Sequence, residues 1–411
     1  MGIRLGSISE NKSFYALILL SAIPVLPYSI LSISIILYAL LCLIEFYNKP
    51  LKRFTKENRL YFFSQISFYL LFLISLIWSQ DKSTGFKTLQ HAMPLLIFPV
   101  LSVLGKDIGI KQLKIVLKSY ISFSLCLAIY IILFVFIKKG ISEVFTSSVV
   151  YHIIKGDFLI FDIHPIYTSV FFLFSIILLL YDLLNNFEFK KIFINLPIIL
   201  VFLLAIAILA SKIILILLFL SLIFLVFFSK KISLMVKSIL FLLIGIGTFL
   251  LISQIKVINA RFYNLFFTFI NEDIKFLAGN STFKRLQIYS CSLDIVKDNF
   301  LFGVGVGDVQ NYLNECYKVK EFDIENTKSA HNFYFRTLLN TGVLGLILFL
   351  HSLFINIKLS FADKTRIYLF LSLSFISLMF VEDYLIRAYG VTLYALINHI
   401  FYLYNKKPLS K

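Results

Sequence analysis

Unbroken apolar runs constrain this chain more than any other feature: residues 197–210 and 213–228 hold no charged side chain at all. In lipid only two architectures satisfy the backbone's own hydrogen bonds, the helix and the closed barrel. Barrel strands alternate apolar and polar residues in segments of roughly ten, and these runs do not alternate. A membrane-spanning helix needs about 20 mostly apolar residues, which such runs and their flanks supply. Composition agrees. Hydrophobic residues make up 59% of the 411 and charged residues 15%, against roughly 45–50% and about 25% in soluble domains. That excludes a soluble enzyme, a disordered chain, a fibre and a secreted disulfide scaffold. The fold class is an all-α polytopic membrane protein.

Twelve helices are expected, near 13–28, 29–47, 60–78, 89–104, 115–137, 163–181, 192–210, 212–228, 236–254, 331–355, 366–381 and 386–404. The fourth carries Pro94 and Pro99 and is expected to be kinked or incomplete. Residues 1–254 then hold the first nine spans, 255–330 one long outer loop, and 331–411 the last three spans and a cytoplasmic tail. Basic residues in short loops set orientation. With the N-terminus inside, 22 of the 39 Lys and Arg fall in inner segments and seven in short outer loops, while Arg336 lies just inside the tenth helix. Both termini are therefore expected in the cytoplasm. The net charge of +17 reads as a topology signal with anionic membrane lipids as its partners, and not as a nucleic-acid surface, because the basic residues are sorted by membrane side.

Loops as long as 255–330 are usually functional. Residues 254–270 mix Lys256 and Arg261 with Phe262, Tyr263, Phe266 and Phe267, as an interfacial helix would. Residues 282–299 read as an amphipathic helix ending at a glycine turn. That turn, Gly303-Val304-Gly305-Val306-Gly307-Asp308, invites a dinucleotide reading and fails it, since the fingerprint needs G-x-G-x-x-G inside a βαβ unit. The six histidines are scattered without ligand spacing, so no metal site is expected. Cys291 and Cys316 share the loop, where an oxidising compartment favours a bridge; two free thiols are the other reading.

Ionisable residues beside spans are more informative, because burying them is costly. His164 precedes Pro165 at the sixth helix, Lys212 follows Ser211 at the tight turn before the eighth, and Arg285 lies in the loop helix. His331-Asn332 opens the tenth helix, with Gly342 and Gly345 further along it. Glu382, Asp383 and Arg387 cluster between the last two helices. All fall at the outer boundary of the membrane.

On these features the chain resembles the O-antigen ligase and polymerase superfamily of bacterial envelope glycan assembly. Ser211-Lys212 is similar to the family's Ser-Arg at an outer helix start, with Lys in place of Arg. Arg285, Tyr289 and the turn Gly303 to Gly307 are similar to its loop arginine, aromatic and glycine turn. His331-Asn332 with Gly342 and Gly345 resembles its loop ending. His164-Pro165, and Glu382 with Arg387-Ala388-Tyr389-Gly390, look like patterns in a subset of these proteins. The resemblance implies a glycosyltransferase of the bacterial inner membrane with its active site facing the periplasm. It would move a glycan from an undecaprenyl-pyrophosphate-linked donor to the lipid A-core acceptor, as ligases do, or to another lipid-linked unit, as polymerases do. The donor is already activated, so no cofactor is expected. His331 and Arg285 are the expected catalytic pair; Lys212, Arg261, Arg387, His164, Glu382 and Asn332 are expected to hold pyrophosphate or glycan. A glycan transporter is the reading from another class, and it lacks the internal repeat such proteins show.

Overall fold

The computed structural model describes residues 12–48, 56–139, 164–185, 188–209, 211–228, 281–325, 329–362 and 366–405, with isolated positions between 233 and 263. Among them the secondary structure is helical throughout. In chain order these are α1 Lys12–Leu20, α2 Tyr28–Asn48, α3 Lys56–Ser75, α4 Lys82–Ala92, α5 Pro94–Leu104, α6 Ile110–Lys139 and α7 Pro165–Asn185. They continue as α8 Phe189–Leu209, α9 Lys212–Phe228, α10 Ser281–Asp298, α11 Val309–Val319, α12 Phe333–Ala362, α13 Ile367–Met379 and α14 Ala388–Asn405.

Among the described residues six helical stretches are long and apolar enough to cross a membrane: 28–48, 82–104, 110–138, 165–185, 190–209 and 333–361. Two shorter apolar helices, α9 and α13, accompany them. The burial pattern is that of a bundle in lipid. The middle of α7 is sealed, with Phe171, Phe172 and Leu173 wholly buried, and α14 is buried from Gly390 to Leu403. By contrast α2 turns Ile33, Ile36, Leu40 and Ile44 outward, each more than half exposed. Water would penalise that face; hydrocarbon does not. Polar groups inside the bundle are mostly paired. His399, fully buried, has Tyr38 Oη at 2.6 Å from Nε2 and Ser102 Oγ at 2.8 Å from Nδ1.

The structure differs from the expected helices in four places. The first span is regular only to Leu20 and then runs through turns. The fourth begins seven residues earlier; its break into two helices is the kink expected of its prolines, because Pro94 has no N–H to donate and its ring crowds the preceding turn. An unexpected helix, α11, follows the glycine turn. The tenth breaks at Gly342, whose φ of 64° and ψ of −163° interrupt α12. The span expected at 236–254 and the interfacial helix expected at 254–270 lie outside the described residues apart from isolated positions.

The break at Gly342 is where the glycine turn docks. Interrupting a helix strips carbonyls of their partners, and here Leu339 and Asn340 accept instead from Val304 N–H and Gly305 N–H, at 2.8 and 3.1 Å. Val343 N–H donates to Phe300 O at 2.8 Å. A side chain at Gly342 would strike the backbone of Leu301 and Phe302. The other side of the turn rests on the α3–α4 corner. Buried Asp308 accepts from Gln80 N–H at 2.6 Å, Asp81 N–H at 2.8 Å and Ser79 Oγ at 3.1 Å, and Gly307 N–H donates to Ser79 Oγ. The turn's amides are thus spent on the fold, which agrees with reading it as a tight turn. Around it α10, α11 and the outer part of α12 enclose a second apolar core of Ile288, Ile295, Val304, Val309, Leu313 and Leu339. Cys291 and Cys316 are bridged within it, fixing α10 to α11.

Candidate functional site

Four structural elements bring charge to one end of the bundle. The first is the start of α12. Asn332 caps that helix: its Oδ1 accepts from Tyr334 N–H at 2.9 Å and Phe335 N–H at 3.1 Å, as an N-cap asparagine does. His331, the residue before the cap, is held in the left-handed region at φ 46°. The second is the connector 380–387 between α13 and α14, which the Asn332 side chain ties down by donating to Phe380 O at 3.0 Å.

Glu382 in that connector is the hub. Its Oε2 lies 3.4 Å from His331 Nδ1 and 3.6 Å from Arg285 Nη2. It is 7% exposed. Burial alone would raise its carboxyl pKa; the hydrogen bond and charge of His331 and the charges of Arg285 and His164 outweigh that and hold it below the usual glutamate value. His164 is thereby within electrostatic reach from the start of α7, where Pro165 sits at the first helical position.

The third element, α10, carries Arg285 and Tyr289 on one face. Tyr289 Oη donates to His331 O at 3.1 Å and lies 3.4 Å from Phe380 O. The fourth is the start of α9, where Lys212 Nζ reaches Thr282 Oγ1 on the first turn of α10 at 3.3 Å. Thr282 and Arg285 are three residues apart on the helix and so share a face. Arg387 is exposed at the end of the connector, and its field reaches His91 on α4 and Tyr167 on α7.

Of the eight expected site residues, the structure brings His331, Asn332, Arg285, Glu382 and His164 together, sets Lys212 against the same helix as Arg285, and leaves Arg387 at the rim. Arg261 lies outside the described residues. Two residues with clear parts in this site were not among those expected. Asp383, 4% exposed, accepts from Asn332 N–H at 3.0 Å. Burial pushes its carboxyl up, with Arg336 and His331 opposing. Arg336 itself, 6% exposed one turn into α12, is the second. Its signal in the sequence was an arginine within an apolar helix, four residues after Asn332.

The arrangement sets a histidine against a carboxylate, with Arg285 beside the same carboxylate and Lys212 and Arg387 further out. In the tautomer that directs Nδ1–H to Glu382, Nε2 is the nitrogen with the lone pair. Fold and site together define a helical membrane protein with a cluster of histidine, carboxylate and cationic side chains at one end of its bundle. Residues 196–350, less than half of the chain, match the family model described as O-antigen ligase, and that stretch is similar to the O-antigen ligase superfamily. No curated protein matches the chain. The matched stretch contains Lys212, Arg285, His331 and Asn332; His164, Glu382 and Arg387 lie beyond it and reach the site through the fold. That family covers O-antigen ligases and polymerases, glycosyltransferase-like enzymes of polysaccharide biosynthesis that act on lipid-linked polysaccharide.

Proposed function

We propose that this protein is an O-antigen ligase, transferring polysaccharide from undecaprenyl pyrophosphate to the lipid A-core oligosaccharide at the periplasmic face of the inner membrane. The observation that carries the reading is the contact of His331 with buried Glu382 beside Arg285, inside a chain similar to this family. In the reaction His331 takes the proton of the acceptor hydroxyl as that oxygen attacks the anomeric carbon. The bond from that carbon to the pyrophosphate oxygen breaks, and the undecaprenyl pyrophosphate leaves with the electron pair. Negative charge grows on the leaving group, so cations fixed near it lower the barrier. Arg285 suits that task by its planar pair of donors, and Lys212 by a point charge. Neither step calls on a metal or a nucleotide.

This reading carries with it twelve spans, both termini inside, and a periplasmic segment at 255–330 between the ninth and tenth. The asymmetry of basic residues supports the orientation. Reporter fusions after Ser83, within 310–325 and after Lys407 are expected to read outside, outside and inside. An inside reading at 310–325 would overturn the periplasmic site.

Lipopolysaccharide from a deletion strain tests the reaction. A ligase predicts core lipid without polymer and long chains retained on the carrier lipid. Core bearing a single repeat unit would instead make the protein the polymerase of the same superfamily, and normal chains of both kinds would exclude either activity.

A further inference from the structure

The peptide group joining His331 to Asn332 is held at both ends. Its carbonyl accepts from Tyr289 Oη at 3.1 Å, and its N–H donates to Asp383 Oδ1 at 3.0 Å. That clamp fixes His331 in a left-handed conformation which residues other than glycine rarely adopt. Asp383 is itself buried at 4% exposure; among the described residues its second oxygen, Oδ2, has no partner at ordinary hydrogen-bond geometry, although the Ser329 side chain bears on the same carboxyl. A carboxylate so placed needs compensating charge. Arg336, buried at 6% exposure with its Nε unpartnered among the described residues, lies within electrostatic reach. The amino end of α12, whose free N–H groups favour an anion, adds to it.

We propose that Arg336 and Asp383 form a buried positioning pair that sets the backbone of His331 and so aims its imidazole, without either side chain touching substrate. The proposal rests on the transferase reading and deepens it. Arg336 is only 6% exposed, and in this proposal its charge acts inward, on the carboxylate of Asp383. Its partner's carboxylate acts on the base through one main-chain hydrogen bond, while the adjacent Glu382 acts on the imidazole directly. One short connector therefore supplies both the orientation of the ring and the conformation of the residue that bears it.

The test uses purified full-length protein with lipid-linked O-antigen donor and lipid A-core extracted from the deletion strain. Arg336→Met is expected to lower kcat about 10- to 100-fold while donor KM stays within about threefold. Arg336→Lys, which keeps the charge, should regain most of that rate. The double variant Arg336→Met with Asp383→Asn should be faster than Arg336→Met alone. Asparagine keeps an acceptor for Asn332 N–H, and the double variant leaves no buried charge orphaned. A raised donor KM with unchanged kcat in Arg336→Met would mean direct contact with substrate and overturn the pair. So would a double variant no faster than the single. Should Arg336→Met fail to fold, the double variant against wild type carries the comparison, and loss of folding in both would leave the pair a purely structural role and equally overturn the proposal. An inactive wild type, or His331→Ala as active as wild type, would instead sink the transferase reading.

Discussion

His331 Nδ1 stands 3.4 Å from Glu382 Oε2, a pairing that favours the tautomer with its lone pair on Nε2. A carboxylate there also stabilises the imidazolium formed when the ring takes a proton. Glu382→Gln should therefore lower transfer by at least about tenfold, as loss of support for a general base does, with Glu382→Asp in between. The same residue carries a stability signature. Its carboxyl is held below the ordinary value in the fold, so its contribution is fully present above the unfolded value, about 4.3, and is lost as pH falls through the lower folded one. Thermal unfolding in detergent should show wild type above Glu382→Gln at neutral pH, with the gap closing in acid.

The Cys291–Cys316 bridge closes a 26-residue segment around the small core of α10 and α11. In the chain-entropy model such a closure is worth roughly 3.5 kcal/mol. Mass spectrometry of protein from an oxidising compartment should find neither thiol alkylated before reduction. Alkylation of both would contradict the bridge.

Gly342 combines φ of 64° with backbone of the glycine turn packed where a Cβ would stand. Gly342→Ala should cost about 1–3 kcal/mol from the backbone conformation alone, and more from the displaced turn. The expected result is a lower unfolding temperature and weaker protection of 300–308 in hydrogen exchange.

In the proposed reaction Lys212 and Arg285 would meet a phosphate differently, and substitutions should separate them. Lys212→Arg should retain transfer, since the charge stays and two donors become available. Arg285→Lys should recover only part of what Arg285→Ala loses, measured as kcat/KM for the lipid-linked donor.

Much of this molecule was legible in its apolar periods. Runs such as 213–228 can only be helices in lipid, and α9 falls there to within a residue. The loop helix was read from its amphipathic pattern and its glycine stop, and α10 matches it closely. The α12 break was not legible. Gly342 reads as a small residue for helix packing, and only the docking partner, the main chain at 301–305, turns it into an interruption. The same limit hid α11, whose short mixed sequence forms a helix because Val309, Leu313 and Tyr317 find a core made by other segments. At the site, His331, Arg285 and Glu382 stood out singly as costly charges near the membrane boundary. Their meeting is a tertiary fact, since Arg285 and Glu382 are almost a hundred residues apart. Asp383 was noted in its cluster but given no role, because its work is done on a backbone amide, which leaves no mark in the pattern of side chains.

Transfer by purified His331→Ala protein tests the account most directly. General-base help is typically worth 10²–10⁴-fold, so the variant, folded and inserted as wild type, should lose transfer by about that factor while still binding the lipid-linked donor. Transfer at a near-normal rate would show that the proton of the acceptor leaves by another route, and the account of this site would fall with it.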